Sequence, residues 1–128
     1  MLIATYGTLR KGGSNYHVNE WSQATHKFTG KTKECYDLYA FCHAYPSVSL
    51  AHSEHKKQVV VDVYETETLG FYDNLEGYPV FYNRSVITVL DADGNEHEAY
   101  IYHIDRQQEV PILSGDWFDR SERGDTCC

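Results

Sequence analysis

The first thirteen residues, MLIATYGTLRKGG (1–13), predict a short buried strand that ends abruptly in a loop. Leu2 to Tyr6 is an apolar run of strand length, and Gly7 permits a sharp exit from that strand. The N–H groups that follow are no longer used by a ladder, and in a tight turn such groups can hold an anion or a carboxylate. The loop is therefore a candidate anion cradle, although an ordinary glycine turn has the same sequence signature.

Further strands and one helix are indicated downstream of this loop. Gln58 to Tyr64 is a β-branched run that predicts a buried strand. From Thr66 to Glu76 the apolar residues recur at three-residue spacing, which predicts a short helix that begins at a threonine cap and ends at Gly77. Tyr82 to Leu90 and Glu98 to Ile104, separated by a DADG turn, predict a hairpin.

The strand pattern sets the expected architecture. The segment Tyr45-Pro46-Ser47-Val48 predicts an interruption between strands, since proline removes a backbone donor. Mostly antiparallel strands with few helices indicate an α+β domain, for which a small barrel is one solution. We expect residues 1–118 to form this single domain and residues 119–128 to be a polar, flexible tail.

The acidic composition bears on partners. The 128-residue chain has a formal net charge of −8, which argues against a surface that binds a phosphate backbone, so no nucleic-acid partner is expected. No stretch approaches the roughly 20 apolar residues that span a bilayer, and no basic leader precedes the first apolar run. We therefore expect no membrane association and a cytoplasmic location.

The cysteines indicate reduced thiols rather than a metal centre. Cys35, Cys42, Cys127 and Cys128 lack the short paired spacings of a zinc site. A metal held by Cys42-His43 together with the histidines of the HSEH segment (52–55) is the weaker alternative. We expect neither a metal nor a cofactor.

Glu76 is the candidate general base. It lies at the end of the predicted helix, on the side of the apolar stripe, and is followed by Gly-Tyr-Pro. Burial of that stripe would desolvate the carboxyl and raise its pKa, as a base working near neutral pH requires. The competing interpretation is a solvated glutamate at a helix end, because most carboxylates are exposed.

The motifs in combination resemble the gamma-glutamylcyclotransferase-like family. The resemblance rests on YGTLR (6–10), YPSV (45–48), VVVDVYE (59–65), LGFYDNLEGY (69–78) and YNR (82–84), in this order over residues 1 to about 117. It implies a small, mixed, mostly antiparallel β-barrel, a general base at Glu76 and a substrate loop at Tyr6, Gly7, Thr8 and Leu9 that binds the glutamyl portion through backbone amides. Tyr82 and Arg84 would complete the substrate site.

Two uses of Arg84 remain open, neutralisation of a substrate carboxylate and pairing with an acidic neighbour. Two positions depart from the family pattern: Val61-Asp62 stands where the family has Gly-Glu, and Ser47 stands where it has Ala. In the family both positions lie beside the pocket, so these departures bear on the leaving group.

The resemblance implies a reaction that needs no cofactor. The α-amino group of a gamma-glutamyl amine or peptide attacks its own γ-carbonyl, which gives 5-oxoproline and a free amine. The substrate would be a small molecule, and the oligomeric state is open. The alternatives are a non-catalytic module that binds a small molecule or a peptide on the same fold, and an interaction protein with a tyrosine-rich surface.

Overall fold

The computed structural model describes residues 1–41, 45–108 and 110–118, which form eight strands and two short helices. The predicted tail at 119–128 and Cys42-His43 lie outside the described residues. In chain order the elements are β1 Leu2–Thr5, α1 His17–Trp21, β2 Thr25–Cys35, β3 Asp37–Phe41, β4 Tyr45–Ser49, β5 Gln58–Glu65, α2 Gly70–Glu76, β6 Asn83–Leu90, β7 Glu96–His103 and β8 Val110–Pro111.

Five strands close into a barrel in the order β1-β5-β2-β6-β7. The neighbouring pairs are antiparallel except β1 and β7, which run parallel where Ile3 lies opposite Tyr100. A second, three-stranded sheet has the order β4-β3-β8. The predicted α+β class, with a mixed and mostly antiparallel barrel and few short helices, is confirmed.

The β-branched run of β5 lies inside the barrel, as its sequence predicts. Val59, Val61 and Val63 have no exposed surface and belong to the main apolar cluster. Ile112 and Trp117, which follow β8, are also buried in this cluster, so the chain packs back onto the barrel before residue 118.

The predicted interruption at Tyr45-Pro46-Ser47-Val48 is wrong, because these residues form most of β4. Among the described strands it pairs with β3 alone and therefore forms an edge of its sheet. A proline is tolerated on an edge strand because its missing N–H has no ladder partner to satisfy.

Helix α2 has the predicted end and a different start. Gly77 adopts the left-handed conformation with φ of 64°, which ends the helix as expected. The N-cap is Leu69 and makes no side-chain capping bond. The hydroxyl of Thr68 instead accepts a hydrogen bond from the Gly70 N–H at 3.2 Å, one residue outside the cap.

Candidate active site

A pocket opens where β1 ends and contains most of the residues that the sequence singles out. Strand β1 stops at Thr5, one residue earlier than predicted, and Tyr6 begins the loop. The empty space in the pocket is about 310 Å³, part of which is open to solvent. It is lined by Ile3, Ala4, Thr5, Tyr6, Gly7, Thr8, Leu9, Pro46, Glu76 and Tyr102. The predicted loop and the predicted base therefore meet in one cavity.

The loop uses its carbonyl groups and leaves its amide groups available. The carbonyls of Gly7 and Thr8 accept from the N–H groups of Arg10 and Asn15, both at 2.9 Å. The Leu9 carbonyl accepts from a side-chain amide at 2.7 Å, and the Arg10 carbonyl accepts from a glycine N–H at 2.7 Å. Within the described ranges, no acceptor is found for the N–H groups of residues 7 to 9. Three consecutive donors are thus free for a ligand, as the anion-cradle hypothesis requires.

Glu76 is the last residue of α2, and its side chain lines the pocket. Burial raises the pKa of its carboxyl to about 7. In the described part of the chain, this carboxyl has no hydrogen-bond or ion-pair partner that would hold it ionised. The residue therefore changes protonation state near neutral pH and is available to exchange a proton with a ligand in the pocket.

Tyr6 forms a fixed part of the pocket wall. Its hydroxyl donates to the Tyr102 carbonyl at 2.6 Å and accepts from the Val48 N–H at 3.4 Å. Burial raises the pKa of this phenol well above its ordinary value, and interactions with Tyr82 and Glu76 raise it further. Tyr6 thus remains a neutral phenol whose donor is committed to the protein.

Tyr82 and Arg84 lie outside the lining of this pocket. The Tyr82 hydroxyl donates to the carbonyl of Pro46 at 2.5 Å, so it supports a lining residue. Arg84 donates to both carboxylate oxygens of Asp73 at 2.7 Å, and Tyr102 donates to one of them at 2.6 Å. Of the two uses considered for Arg84, pairing with an acidic neighbour is present in the structure.

Asp62 anchors the loop at Arg10 and Lys11. In the sequence, position 62 is one of the two departures from the family pattern that bear on the leaving group. The Asp62 carboxylate accepts from the Lys11 N–H at 2.9 Å, the Thr29 hydroxyl at 2.6 Å and Nε of Arg10 at 3.4 Å. Asp62 is 3% exposed and does not line the pocket. Arg10 also donates to Asp116 at 2.7 Å, which ties the loop to the segment after β8. Nothing local in the sequence indicates these contacts.

The structure also bears on membrane helices, metal ligands and the cysteines. No helix in the described ranges is both long enough and apolar enough to cross a bilayer. Among the same residues, no group of three or more histidine, cysteine, aspartate or glutamate side chains is placed to hold a metal ion. Cys35 is a free thiol.

Comparison with known proteins shows the family to which the chain belongs. Residues 3–119 match the family model described as gamma-glutamyl cyclotransferase, AIG2-like. The chain is 34% identical over 119 residues to "Putative gamma-glutamylcyclotransferase MJ1514" of Methanocaldococcus jannaschii, covering 91% of this chain and 95% of that protein. It is 31% identical over 127 residues to gamma-glutamylaminecyclotransferase A of Danio rerio, covering 92% and 74%. The chain therefore belongs to the AIG2-like gamma-glutamyl cyclotransferase family, a family of cyclotransferase enzymes.

Solved structures agree on the fold. The crystal structure of an AIG2-like protein from Mus musculus superimposes with a TM-score of 0.74 at 24% identity, covering 83% of this chain and 78% of that chain. An uncharacterized protein from Pyrococcus horikoshii gives a TM-score of 0.65 at 23% identity, covering 91% and 89%. The barrel is thus the fold of these proteins.

Proposed function

We propose that this enzyme cyclises a gamma-glutamyl amine or peptide and releases 5-oxoproline and a free amine. One observation carries the proposal: three unpartnered backbone donors at Gly7 to Leu9 share a pocket with Glu76, whose pKa burial raises to about 7. The donors suit an anionic ligand, and the carboxyl suits proton transfer at neutral pH. Membership of the family and the name of the Danio rerio relative support this substrate class.

The reaction is intramolecular. The substrate's α-amino nitrogen forms a bond to the γ-carbonyl carbon, the five-membered ring closes, and the bond to the leaving nitrogen breaks. The amine attacks only as the neutral form, so its ammonium proton is first lost to solvent. As the new C–N bond forms, the attacking nitrogen becomes cationic, and the Glu76 carboxylate takes one proton from it. Glu76 delivers this proton to the leaving nitrogen as that bond breaks, so the ring nitrogen keeps one hydrogen and the carboxylate is restored. Because its pKa of about 7 lies close to the roughly 8 of an α-amino group, transfer in either direction is nearly balanced.

The substrate loop holds the glutamyl portion. The N–H groups of Gly7, Thr8 and Leu9 bind its anionic or carbonyl oxygens, and any of them directed at the γ-carbonyl also stabilises the developing oxyanion. Fixing the glutamyl portion brings the amine within reach of the carbonyl carbon, which supplies much of the advantage of an intramolecular reaction. Tyr82 contributes to this site through Pro46, and Arg84 contributes by holding Asp73 on the helix that ends in Glu76.

The experiment is release of 5-oxoproline, measured by mass spectrometry, from a panel of gamma-glutamyl amines and dipeptides. The parent protein and Glu76→Gln are compared, with Glu20→Gln as the matched control because Glu20 is an exposed glutamate on α1. We expect equal product from the parent and the control, and product formation at least about 100-fold slower with Glu76→Gln. Equal product from Glu76→Gln would refute the role of the base, and saturable binding without product by the parent would favour a non-catalytic module.

A further inference from the structure

One buried side chain joins the substrate loop to the helix that carries the base. Asn19, on α1, donates from its amide to the Leu9 carbonyl at 2.7 Å. Its amide oxygen accepts the Tyr72 hydroxyl at 2.6 Å, and Tyr72 belongs to α2. Asn19 is 1% exposed and Tyr72 has no exposed surface, so this chain of two hydrogen bonds is shielded from water.

We propose that Asn19 and Tyr72 are positioning residues that hold Glu76 in register with the substrate loop. The proposal rests on the proposed function, because it concerns the geometry between the base and the loop that binds the glutamyl portion. Neither residue lines the pocket, so each would act through a neighbour: Asn19 through Leu9, and Tyr72 through α2.

The geometry of α2 makes this link direct. Tyr72 and Glu76 are four residues apart in the helix and therefore project from the same face, one turn from each other. At the other end of the chain of bonds, Leu9 lines the pocket together with Glu76. Leu9 and Glu76, which are 67 positions apart in the chain, are thus connected by two hydrogen bonds and one turn of α2.

Helix α2 depends on such contacts for its placement. It has seven residues, which is too short for stability on its own, and its N-cap makes no side-chain bond. Helix α1 has five residues and likewise lacks a side-chain cap. Packing, the bonds that Asp73 accepts from Arg84 and Tyr102, and the Asn19–Tyr72 bond together place α2, and of these only the last connects it to the helix that holds the Leu9 carbonyl.

The bond has a defined direction. Burial, the largest influence, raises the pKa of Tyr72 to about 12, so the phenol is protonated at neutral pH and acts as the donor. This leaves the Asn19 oxygen as acceptor and its amide nitrogen as donor to Leu9, which defines the amide orientation. Tyr72→Phe removes one hydroxyl and leaves the apolar packing; it breaks the bond to Asn19 and the interaction with Ser22, which caps the end of α1.

The test compares Tyr72→Phe with Tyr64→Phe. Both tyrosines are buried in the same apolar cluster, but the Tyr64 hydroxyl interacts with Tyr16 and, among the described residues, makes no hydrogen bond to Asn19 or Leu9. We expect Tyr72→Phe to lower kcat about tenfold, as a displacement of well under 1 Å does, with KM changed less than about twofold. The acid limb of the pH profile should stay near 7, because the surroundings that desolvate the Glu76 carboxyl are unchanged. Tyr64→Phe should retain the parent kcat.

A double-mutant cycle and a measurement independent of activity complete the test. If the two residues act as one link, Asn19→Leu combined with Tyr72→Phe should lower kcat no further than Asn19→Leu alone. Hydrogen exchange of residues 7–15 should be faster in Tyr72→Phe than in the parent and unchanged in Tyr64→Phe, although both substitutions lie outside that loop.

The outcomes separate the two proposals. Unchanged kcat, or equal losses in the Tyr72→Phe and Tyr64→Phe variants, would overturn the positioning role while leaving the cyclotransferase reaction intact. If the parent itself forms no 5-oxoproline, the proposed function fails, and hydrogen exchange still decides whether α2 and the loop are linked. Loop exchange that is identical in the parent and Tyr72→Phe would overturn the link in either case.

Discussion

Gly7 lies directly against the pyrrolidine ring of Pro46. A Cβ at position 7 would overlap Cγ of Pro46 and approach its Cβ to 2.8 Å. The φ of Gly7 is outside the left-handed region, so glycine is needed here for close packing rather than for an unusual turn. Both residues line the pocket, and their contact joins the substrate loop to β4.

Gly7→Ala should therefore disrupt the pocket. The new methyl group has to displace Pro46 or the loop, which costs about 1 to 3 kcal/mol in the free energy of unfolding, as overpacking usually does. Activity should fall further than stability explains, because the moved residues line the site. Chemical denaturation and the rate of 5-oxoproline release measure the two effects.

The control for this prediction is Gly7→Ala combined with Pro46→Ala. Removal of the proline ring makes room for the new methyl group, so the double variant should recover part of the stability lost in Gly7→Ala. A Gly7→Ala variant with parental stability and activity would show that the contact with Pro46 does not constrain the loop.

Glu76→Gln should stabilise the protein at alkaline pH. The carboxyl has a pKa of about 7 when folded, against about 4.3 in an unfolded chain. Between these values the folded state binds more protons, so this group makes stability fall as pH rises from about 4 to about 7. Glutamine cannot ionise, and the variant should gain up to about 3.5 kcal/mol over the parent at pH 8.

Urea unfolding at pH 4 and pH 8 tests this expectation. The difference between Glu76→Gln and the parent should be small at pH 4 and large at pH 8, whereas Glu20→Gln, at an exposed site, should show no such trend. A difference that is constant with pH would mean that the Glu76 carboxyl is not desolvated in the fold.

Asp62→Asn should weaken both the fold and substrate binding. The substitution removes the charge opposite Arg10 and one of the two oxygens that accept from Lys11, Thr29 and Arg10. Breaking a buried pair in this way costs about 3 kcal/mol, and release of the Lys11 N–H should raise KM by loosening the loop. An exposed pair provides the comparison: Lys33→Gln, opposite Glu96 at 3.0 Å, should change stability by less than about 1 kcal/mol.

Arg84→Gln and Asp73→Asn together distinguish the two uses of Arg84. If Arg84 serves to hold Asp73, both variants lose the same contact between Nη1 of Arg84 and the Asp73 carboxylate and should change KM similarly. If Arg84 binds a substrate carboxylate, Arg84→Gln alone should raise KM severalfold. The structure leads us to expect the first result, which steady-state kinetics of 5-oxoproline release would show.

The elements with strong local signals could be predicted from the sequence. The valine run of β5, the hairpin of β6 and β7, and the glycine that ends α2 are each specified by residues close together in the chain. The pairing of the first loop with Glu76 required the family resemblance, because no local pattern shows which loop meets which helix.

The features that could not be predicted from the sequence depend on contacts between residues that are distant in the chain. Asp62 bonds to Lys11 and Arg10, which precede it in the chain by 51 and 52 residues. The bond between Asn19 and Tyr72 joins residues that are 53 positions apart. A buried asparagine on a five-residue helix has no periodicity that marks it as a link. Strand β4 was missed for a related reason, since Pro46 is acceptable only because its strand forms the edge of a sheet.

The most direct test of the account is the pH dependence of kcat/KM for 5-oxoproline release by the parent protein and by Glu76→Gln. The account predicts that kcat/KM of the parent rises with pH through an acid limb near 7, where Glu76 loses its proton, and that the variant loses at least about 100-fold in rate. A variant with the parent's rate and the same limb would contradict the assignment of Glu76 as the base.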